Sequence, residues 1–347
     1  MARTTTAPPQ ISDSGDRISD VHQDIIETQI LTRLDGLTLA SLSASISCVS
    51  SQLHDLAYDE TLWSKLCHSM WPSTADPAIC HVISSFPGGS RSFFSDTYSV
   101  ITGGTDGEYD RLIPKLISAV DLHYRGKLIF SKVVETDTTT AWFQSSPLRI
   151  DLVDPKDMIA TSITRRRSSL PENESTCRDL EEDMTLSWIV IDPIGRRAAN
   201  LSSYRPVSVQ RHWFSGEIHA RFVAVVSGAS GVGGATEEEK VVECGITVVT
   251  CGEGEMHVRE VNLQVEDMEG MHLNGSDTLV ILRRAMEGER GNGKMREEGG
   301  RRRHVEFMEE RRERKEMKLR AEWVFDILSV AVGVLCLASF GFYLWWL

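Results

Sequence analysis

The chain has 347 residues, 41% of them hydrophobic, and a formal net charge of −13. That length leaves room for two folded units plus tails, on a rough guide of 100 to 200 residues per domain, while the acidic balance disfavours an electrostatic grip on nucleic acid. Seven cysteines, an odd number with no CxxC pair, fit reduced thiols in a cytosolic protein better than a disulfide framework.

Residues 1–20 contain no apolar run, so no secretory signal is expected there and the stretch reads as a disordered leader. From Asp24 to Leu66 apolar residues recur at helical spacing. Ile26, Ile30 and Leu34 share one face of a first helix, which Asp35-Gly36 stops. Thr38 suits the N-cap of a second helix carrying Leu39, Leu42 and Ile46, because its hydroxyl can accept from a first-turn amide. Val49, Leu53 and Leu56 mark a third, and Leu62, Trp63 and Leu66 begin a fourth. About 45 residues is marginal for an independent core, so such a bundle should share its apolar surface with a partner.

The order Ile25-Ile26, Ile30, Leu34, Leu39, Cys48, Leu53, Leu56-Ala57 and Leu62-Trp63 resembles the F-box, whose most diagnostic feature is the closing Leu-Trp pair. Val21-His22-Gln23 stands where that family usually opens with Leu-Pro. Two motifs that follow, Trp71-Pro72-Ser73-Thr74-Ala75-Asp76-Pro77 and Phe86-Pro87-Gly88-Gly89-Ser90-Arg91-Ser92-Phe93-Phe94-Ser95-Asp96, resemble a plant subfamily of F-box proteins. So do Ser187-Trp188-Ile189-Val190-Ile191-Asp192-Pro193 and Arg211-His212-Trp213-Phe214-Ser215-Gly216-Glu217. The resemblance implies docking on a Skp-family adaptor through Ile26, Ile30, Leu34, Leu39, Leu53 and Trp63, with a cullin behind that adaptor. It implies no catalytic residue and no cofactor.

From residue 112 to 287 the pattern changes to short alternating runs separated by turns, which predicts a β-rich, sandwich-like domain of six to eight strands. Ile218, Ala220, Phe222, Ala224 and Val226 face one way along a strand, with Glu217, His219 and Arg221 on the other side. Cys244, Ile246 and Val248 form a second row, and Val261, Leu263 and Val265 a third. Leu128 to Val134, Ala141 to Phe143, Leu148 to Leu152 and Leu186 to Ile191 supply further strands. Asp154 to Asp183 reads as a long polar loop, holding Arg165-Arg166-Arg167 before Ser168 and Ser169; a solvated loop is favoured, with a phosphorylation site as the alternative. Ser276, as N-cap, opens a helix with Leu279, Leu282 and Met286 on one side.

Several patterns invite a sharper chemistry than they carry. Gly228-Ala229-Ser230-Gly231-Val232-Gly233-Gly234 follows a strand, but it matches neither GxGxxG nor GxxxxGK[ST], and Glu237-Glu238-Glu239 would repel a phosphate, so a hairpin loop is favoured. Cys244, Cys251, His257 and His272 have the ligand types of a zinc site but not the spacing of one, and no metal is expected. Asp183, His212 and Ser215 have no nucleophile elbow around them. Trp188 and Trp213 are read as core residues, with target recognition as the alternative.

At the C-terminus, residues 288–300 form a glycine-rich hinge. Arg301 to Arg320 carries nine basic and five acidic side chains on nearly every side, which predicts a solvated helix rather than a core element. Ile327 to Leu347 is 21 residues without a charge, at about 1.5 Å per residue enough to cross a hydrocarbon layer of roughly 30 Å. Trp323 lies before it, and Tyr343, Trp345 and Trp346 lie near its end, where interfacial aromatics are expected.

The expected architecture is therefore α+β and multidomain: a leader (1–20), an F-box bundle (21–70), a linker with short helices (71–111) and a β-rich recognition domain (112–287). A hinge (288–300), a charged helical stalk (301–323) and a transmembrane tail anchor (324–347) follow. The expected function is a non-catalytic substrate-recognition adaptor of a Skp, cullin and F-box ubiquitin ligase, anchored in a membrane with its body facing the cytosol. The alternative is a membrane-tethered β-sandwich module for a glycan or lipid headgroup, with a degenerate F-box.

Overall fold

A computed structural model of the chain describes residues 58–101, 113–164, 172–228, 240–251, 255–288, 290–291 and 296–347. The chain divides into two compact units, 1–66 and 67–347. Of the first unit, the described part is 58–66, which holds the start of helix α1 (Glu60–Met70). Asp59 accepts from the Thr61 amide and hydroxyl at 2.9 and 2.7 Å and so caps that helix.

The second unit is mixed helix and strand. A four-stranded antiparallel sheet has the order β3-β2-β6-β7, formed by β2 (Lys115–Tyr124), β3 (Lys127–Asp137), β6 (Met184–Asp192) and β7 (Arg197–Asn200). A six-stranded antiparallel sheet has the order β4-β11-β10-β9-β8, with β5 also paired to β11. Its members are β4 (Arg149–Asp151), β5 (Ile159–Thr164), β8 (Ser208–Arg211), β9 (Ile218–Gly228), β10 (Lys240–Cys251) and β11 (Glu255–Asp267). The short pair β1 (Val100–Ile101) and β12 (Arg290–Gly291) returns the chain after the sheets to a point before them.

One continuous apolar core joins the two sheets. Leu116, Val120, Leu122, Trp188 and Val190 come from the smaller sheet, and Ile218, Ala220, Phe222, Cys244, Ile246, Val248, Val261, Leu263 and Val265 from the larger. The three apolar rows expected from alternation thus lie on one face, because side chains two apart along a strand share a side. β2 and β6 are buried on both faces: Ile117, Ala119, Ile189 and Ile191 are buried as well. This is why their sequences run nearly continuously apolar.

Residues 71–98 belong to this unit through specific bonds, which a linker reading does not anticipate. A single 3-10 turn (Pro72–Ala75) is followed by α2 (Pro77–Ser84) and α3 (Gly89–Tyr98). Pro77 suits the first turn of α2 because its missing N–H has no helical partner there, and Asp76 caps the helix by accepting from the Ala78 amide at 2.9 Å. Trp71 is buried and donates its indole N–H to Ser187 Oγ at 3.2 Å. Its ring packs 6.1 Å edge-on to Phe93 and 5.5 Å from Phe94. Asp121 of β2 accepts from the Ser73 amide (2.9 Å), the Ser73 hydroxyl (2.5 Å) and the Ser131 hydroxyl (2.7 Å). Asp96, the last residue of the second motif, is paired with Arg197 at 3.3 Å and accepts from the Ala198 amide.

Four local expectations are corrected. Ala141 to Phe143 is not a strand but the start of helix α4 (Ala141–Ser145), since Thr140 caps it at the Phe143 amide. Asp154 to Asp183 is not one loop: it contains β5 and helix α5 (Glu172–Asp183), with Leu180 buried in the core, and Arg165 to Ser169 lie outside the described residues. Helix α6 (Gly275–Glu287) is capped by Asn274, whose side chain accepts from the Asp277 amide at 2.8 Å, rather than by Ser276. Its Ile281, Leu282, Ala285 and Met286 do join the core.

The fourth correction concerns the charged stalk. Helix α7 runs unbroken from Arg296 to Trp346; it is largely exposed, as expected, but one face of its first turns, from Arg301 to Arg311, is docked on the sheet. Phe307 is buried. Arg301 donates to the Pro206 carbonyl at 3.1 Å and Arg303 to that of Ile101. Arg311 pairs with Glu266 at 3.3 Å, and Lys318 with Glu269 at 2.8 Å. The docking face of the sheet carries charge too: Arg221 pairs with Glu243, which lies 3.8 Å from His304. Burial lowers the His304 pKa, with Arg221 adding to the effect and Glu243 opposing it.

Candidate functional site

The β8–β9 hairpin presents the most exposed aromatic pair outside the C-terminal helix. Trp213 is 88% and Phe214 81% exposed, with their rings 5.6 Å apart in an edge-to-face arrangement. Trp213 is therefore not a core residue, whereas Trp188 is fully buried and donates its indole N–H to Ser118 Oγ at 3.3 Å. Strand parity cannot separate these two readings, because Trp213 lies in the turn between strands, where alternation no longer assigns a side.

The tip is rigidly built beneath its aromatics. His212 donates its amide to the Glu217 carbonyl at 2.7 Å, and Gly216 donates back to the His212 carbonyl at 2.9 Å. Gly216 has φ +71°, a left-handed conformation that glycine adopts without a Cβ clash. Arg211 Nε donates to the Gly216 carbonyl at 3.1 Å. Ser215 Oγ donates to Glu217 at 2.9 Å and lies 3.0 Å from His212 Nδ1, and Glu217 also pairs with Arg259 of β11.

This constellation contains the residue types of a hydrolase site but not its order. The serine stands between the histidine and the carboxylate, so Glu217 does not orient the imidazole as a triad carboxylate does. Asp183 is elsewhere, bonded to Arg125 at 2.6 Å. The arrangement can brace a turn. Burial pushes the Glu217 pKa up, but the hydrogen bonds from Ser215 and Arg259 together with the Arg259 charge outweigh it and hold the carboxyl below its ordinary 4.5. A depressed folded-state pKa gives stability that is present above the unfolded value and lost as pH falls through the folded one. Denaturation curves should therefore show the bracing of the turn lost as pH falls through the depressed Glu217 value, and Glu217→Gln should remove that part of the acid dependence.

Cys251 and His257 face each other across β10 and β11. Cys244 is fully buried in the apolar row further along β10, with its thiol pushed up to about 12 by burial and by the Glu243 charge. His272 lies at the opposite end of β11, 4.0 Å from Glu266. The four are not gathered, and no cluster of three or more metal-ligating side chains occurs among the described residues. The glycine-rich stretch joins β9 to β10, whose ends pair as Gly228 with Lys240. That is hairpin topology, not the strand-to-helix turn of a phosphate-binding loop. Of the residues implicated in adaptor docking, Ile26, Ile30, Leu34, Leu39 and Leu53 lie outside the described residues. Trp63 lies in α1 and is 2% exposed.

Comparison with known proteins decides the family. A relative in Arabidopsis thaliana named a "probable F-box protein" is 60% identical over 336 residues, spanning 96% of this chain and 95% of the relative. Two other F-box proteins of the same plant are 43% and 38% identical, each spanning 92% of this chain and respectively 94% and 88% of the relative. The chain belongs to the F-box proteins. No family model matches this F-box protein, and no solved structure does. Because the similarity runs nearly end to end, it takes in the β-rich unit and the C-terminal helix. That helix is long and apolar enough to cross a membrane, and its apolar part is wholly exposed.

Proposed function

We propose that this F-box protein is a non-catalytic substrate-recognition adaptor of a Skp, cullin and F-box ubiquitin ligase, held at a membrane by Ile327 to Leu347 with its body in the cytosol. The near end-to-end similarity to F-box proteins carries the reading. Ile26, Ile30, Leu34, Leu39 and Leu53 would form the contact with a Skp-family adaptor, and a buried Trp63 would support that surface. The β-rich unit would hold the target. Its contribution to ubiquitin transfer is proximity: a bound lysine is brought to a ubiquitin-charged enzyme, which raises its effective concentration without new chemistry.

The full chain, assembled with a Skp-type adaptor and a cullin, should appear in one complex and support ubiquitin conjugation to captured protein. The chain ending at Asp326 should move from the membrane to the soluble fraction. Failure to assemble contradicts the adaptor role, and unchanged membrane recovery contradicts the anchor.

A further inference from the structure

We infer that Trp213 and Phe214 form a protein-docking tip that stands off the bilayer and takes an apolar side chain of a cytosolic target, not lipid. The inference deepens the recognition role proposed above and rests on the membrane reading of α7.

The exposed pair is costly to keep in water. Aromatic side chains of this size are the usual anchors of interfaces, particularly when, as here, the backbone beneath them is already fixed and little ordering entropy is left to lose. Arg211 and Arg259 lie at the base of the tip and are held by Gly216 and Glu217. An apolar contact framed by arginines matches the composition of such anchors. The other candidate occupant of an exposed Trp-Phe pair beside a membrane helix is the bilayer interface itself.

Strand register decides between them. At the hairpin end of the large sheet, Ile218 pairs with Thr250; at the other end, Val226 pairs with Val242, and Val242 with Asp267. The turn that follows Asp267 is where α7 makes its last bond to the sheet, Lys318 to Glu269. The hairpin tip and the helix exit therefore lie at opposite ends of the strands, separated by roughly 26 Å along β9 at about 3.3 Å per residue. Across the sheet, the hairpin is on the β8 edge and the exit beside β11, two strands further from that edge than β9.

The helix itself gives the height. Gly300 lies against Ser203, 3.7 Å from where its Cβ would be, and Ser203 accepts from the Val223 amide in the middle of β9. From Gly300 to Ile327, where the uncharged run begins, the helix is about 27 residues long, or roughly 40 Å. Middle β9 is thus held about that far along the helix from the hydrocarbon, and the tip lies towards the other end of the strand from the helix exit. An aromatic side chain reaches less than a quarter of that distance, so the pair cannot enter the interface while α7 is docked.

The test places a photo-crosslinking phenylalanine analogue at position 214 in the full, membrane-inserted chain, with degradation blocked. The expected product is a discrete protein adduct that falls about tenfold or more when Trp213→Ser is added, as for loss of one interface anchor. The adducted protein should carry ubiquitin in the wild type and lose it in Trp213→Ser, while co-purification of the adaptor is unchanged. Both side chains are solvent-exposed, so an unchanged melting temperature of the Trp213→Ser chain checks that its fold is intact. A lipid adduct, no adduct, or a protein adduct indifferent to Trp213→Ser overturns the inference. Recovery of the chain ending at Asp326 in the soluble fraction checks the anchor separately, so failure of the tip and failure of the anchor give different results.

Discussion

Trp71→Ala is expected to lower the stability of the second unit by about 3 to 5 kcal/mol, the usual range for truncating a fully buried tryptophan. Trp71 is 1% exposed and lies where Phe93, Phe94 and the four-stranded sheet meet. The substitution removes the ring from this layer and leaves Ser187 Oγ without its donor. Trp71→Phe keeps much of the packing and should cost less than the alanine variant, with about 1 kcal/mol of the loss coming from the hydrogen bond alone. Denaturant unfolding of the full chain in detergent, followed by midpoint and slope, reads both values. If Trp71→Ala shifts the midpoint no more than a surface substitution does, residues 71–98 do not belong to the unit's folding core.

The second large effect is at Asp121, which is fully buried on β2. Asp121→Ala leaves the Ser73 amide and the Ser73 and Ser131 hydroxyls without their acceptor. Each buried unsatisfied group costs about 1 to 3 kcal/mol, so a loss of about 3 kcal/mol or more is expected. Asp121→Asn keeps an acceptor for the Ser73 amide, and the hydroxyls can rotate to suit the amide, so it should be tolerated within about 1 kcal/mol. The pH dependence separates charge from hydrogen bonding. Burial raises the Asp121 pKa above its ordinary 3.8, with the bonds from Ser73 and Ser131 opposing. A carboxyl whose pKa is raised by folding binds its proton more tightly in the native state, so its effect is to increase stability as pH falls through the raised value. Wild type should therefore gain on Asp121→Asn as the pH is lowered from 7 towards 4, a change read by parallel denaturation curves.

Both residues explain what the two motifs within residues 71–96 do. Trp71, Ser73, Phe93, Phe94 and Asp96 are all buried, and together they fix the helical layer to the outer face of the small sheet. Read as strings, the motifs carry only a resemblance. Their bonds to Ser187, Asp121, Arg197 and Ala198 are long-range and cannot be inferred from spacing.

What the sequence made legible was the set of strands with strict alternation. Ile218 to Val226, the Cys244 row and the Val261 row carry a two-residue period that only a half-buried strand explains. The chain hides its structure where a local rule is overridden by a distant partner. Ala141-Trp142-Phe143 is too short an apolar run to distinguish a strand from a helical turn, and the Thr140 cap decides it. The charged stretch after Arg301 reads as solvated all round because its one docked face is itself charged. Glu243 and Glu266 of the sheet face His304 and Arg311 of the helix across the contact, so only Phe307 gives an apolar signal. Trp213 reads as core because exposed tryptophan is uncommon, and its position depends on a turn rather than on any period. The adaptor-docking residues from Ile26 to Leu53 rest on the family resemblance and not on geometry.

Direct titration of the purified full chain with a purified Skp-type adaptor tests the central claim, comparing wild type with a Leu34→Asp, Leu39→Asp double variant. Saturable binding by wild type, lost in the double variant while its melting temperature is unchanged, is the predicted result. Equal binding by both chains, or none by wild type, would contradict the assignment of this protein as an F-box adaptor.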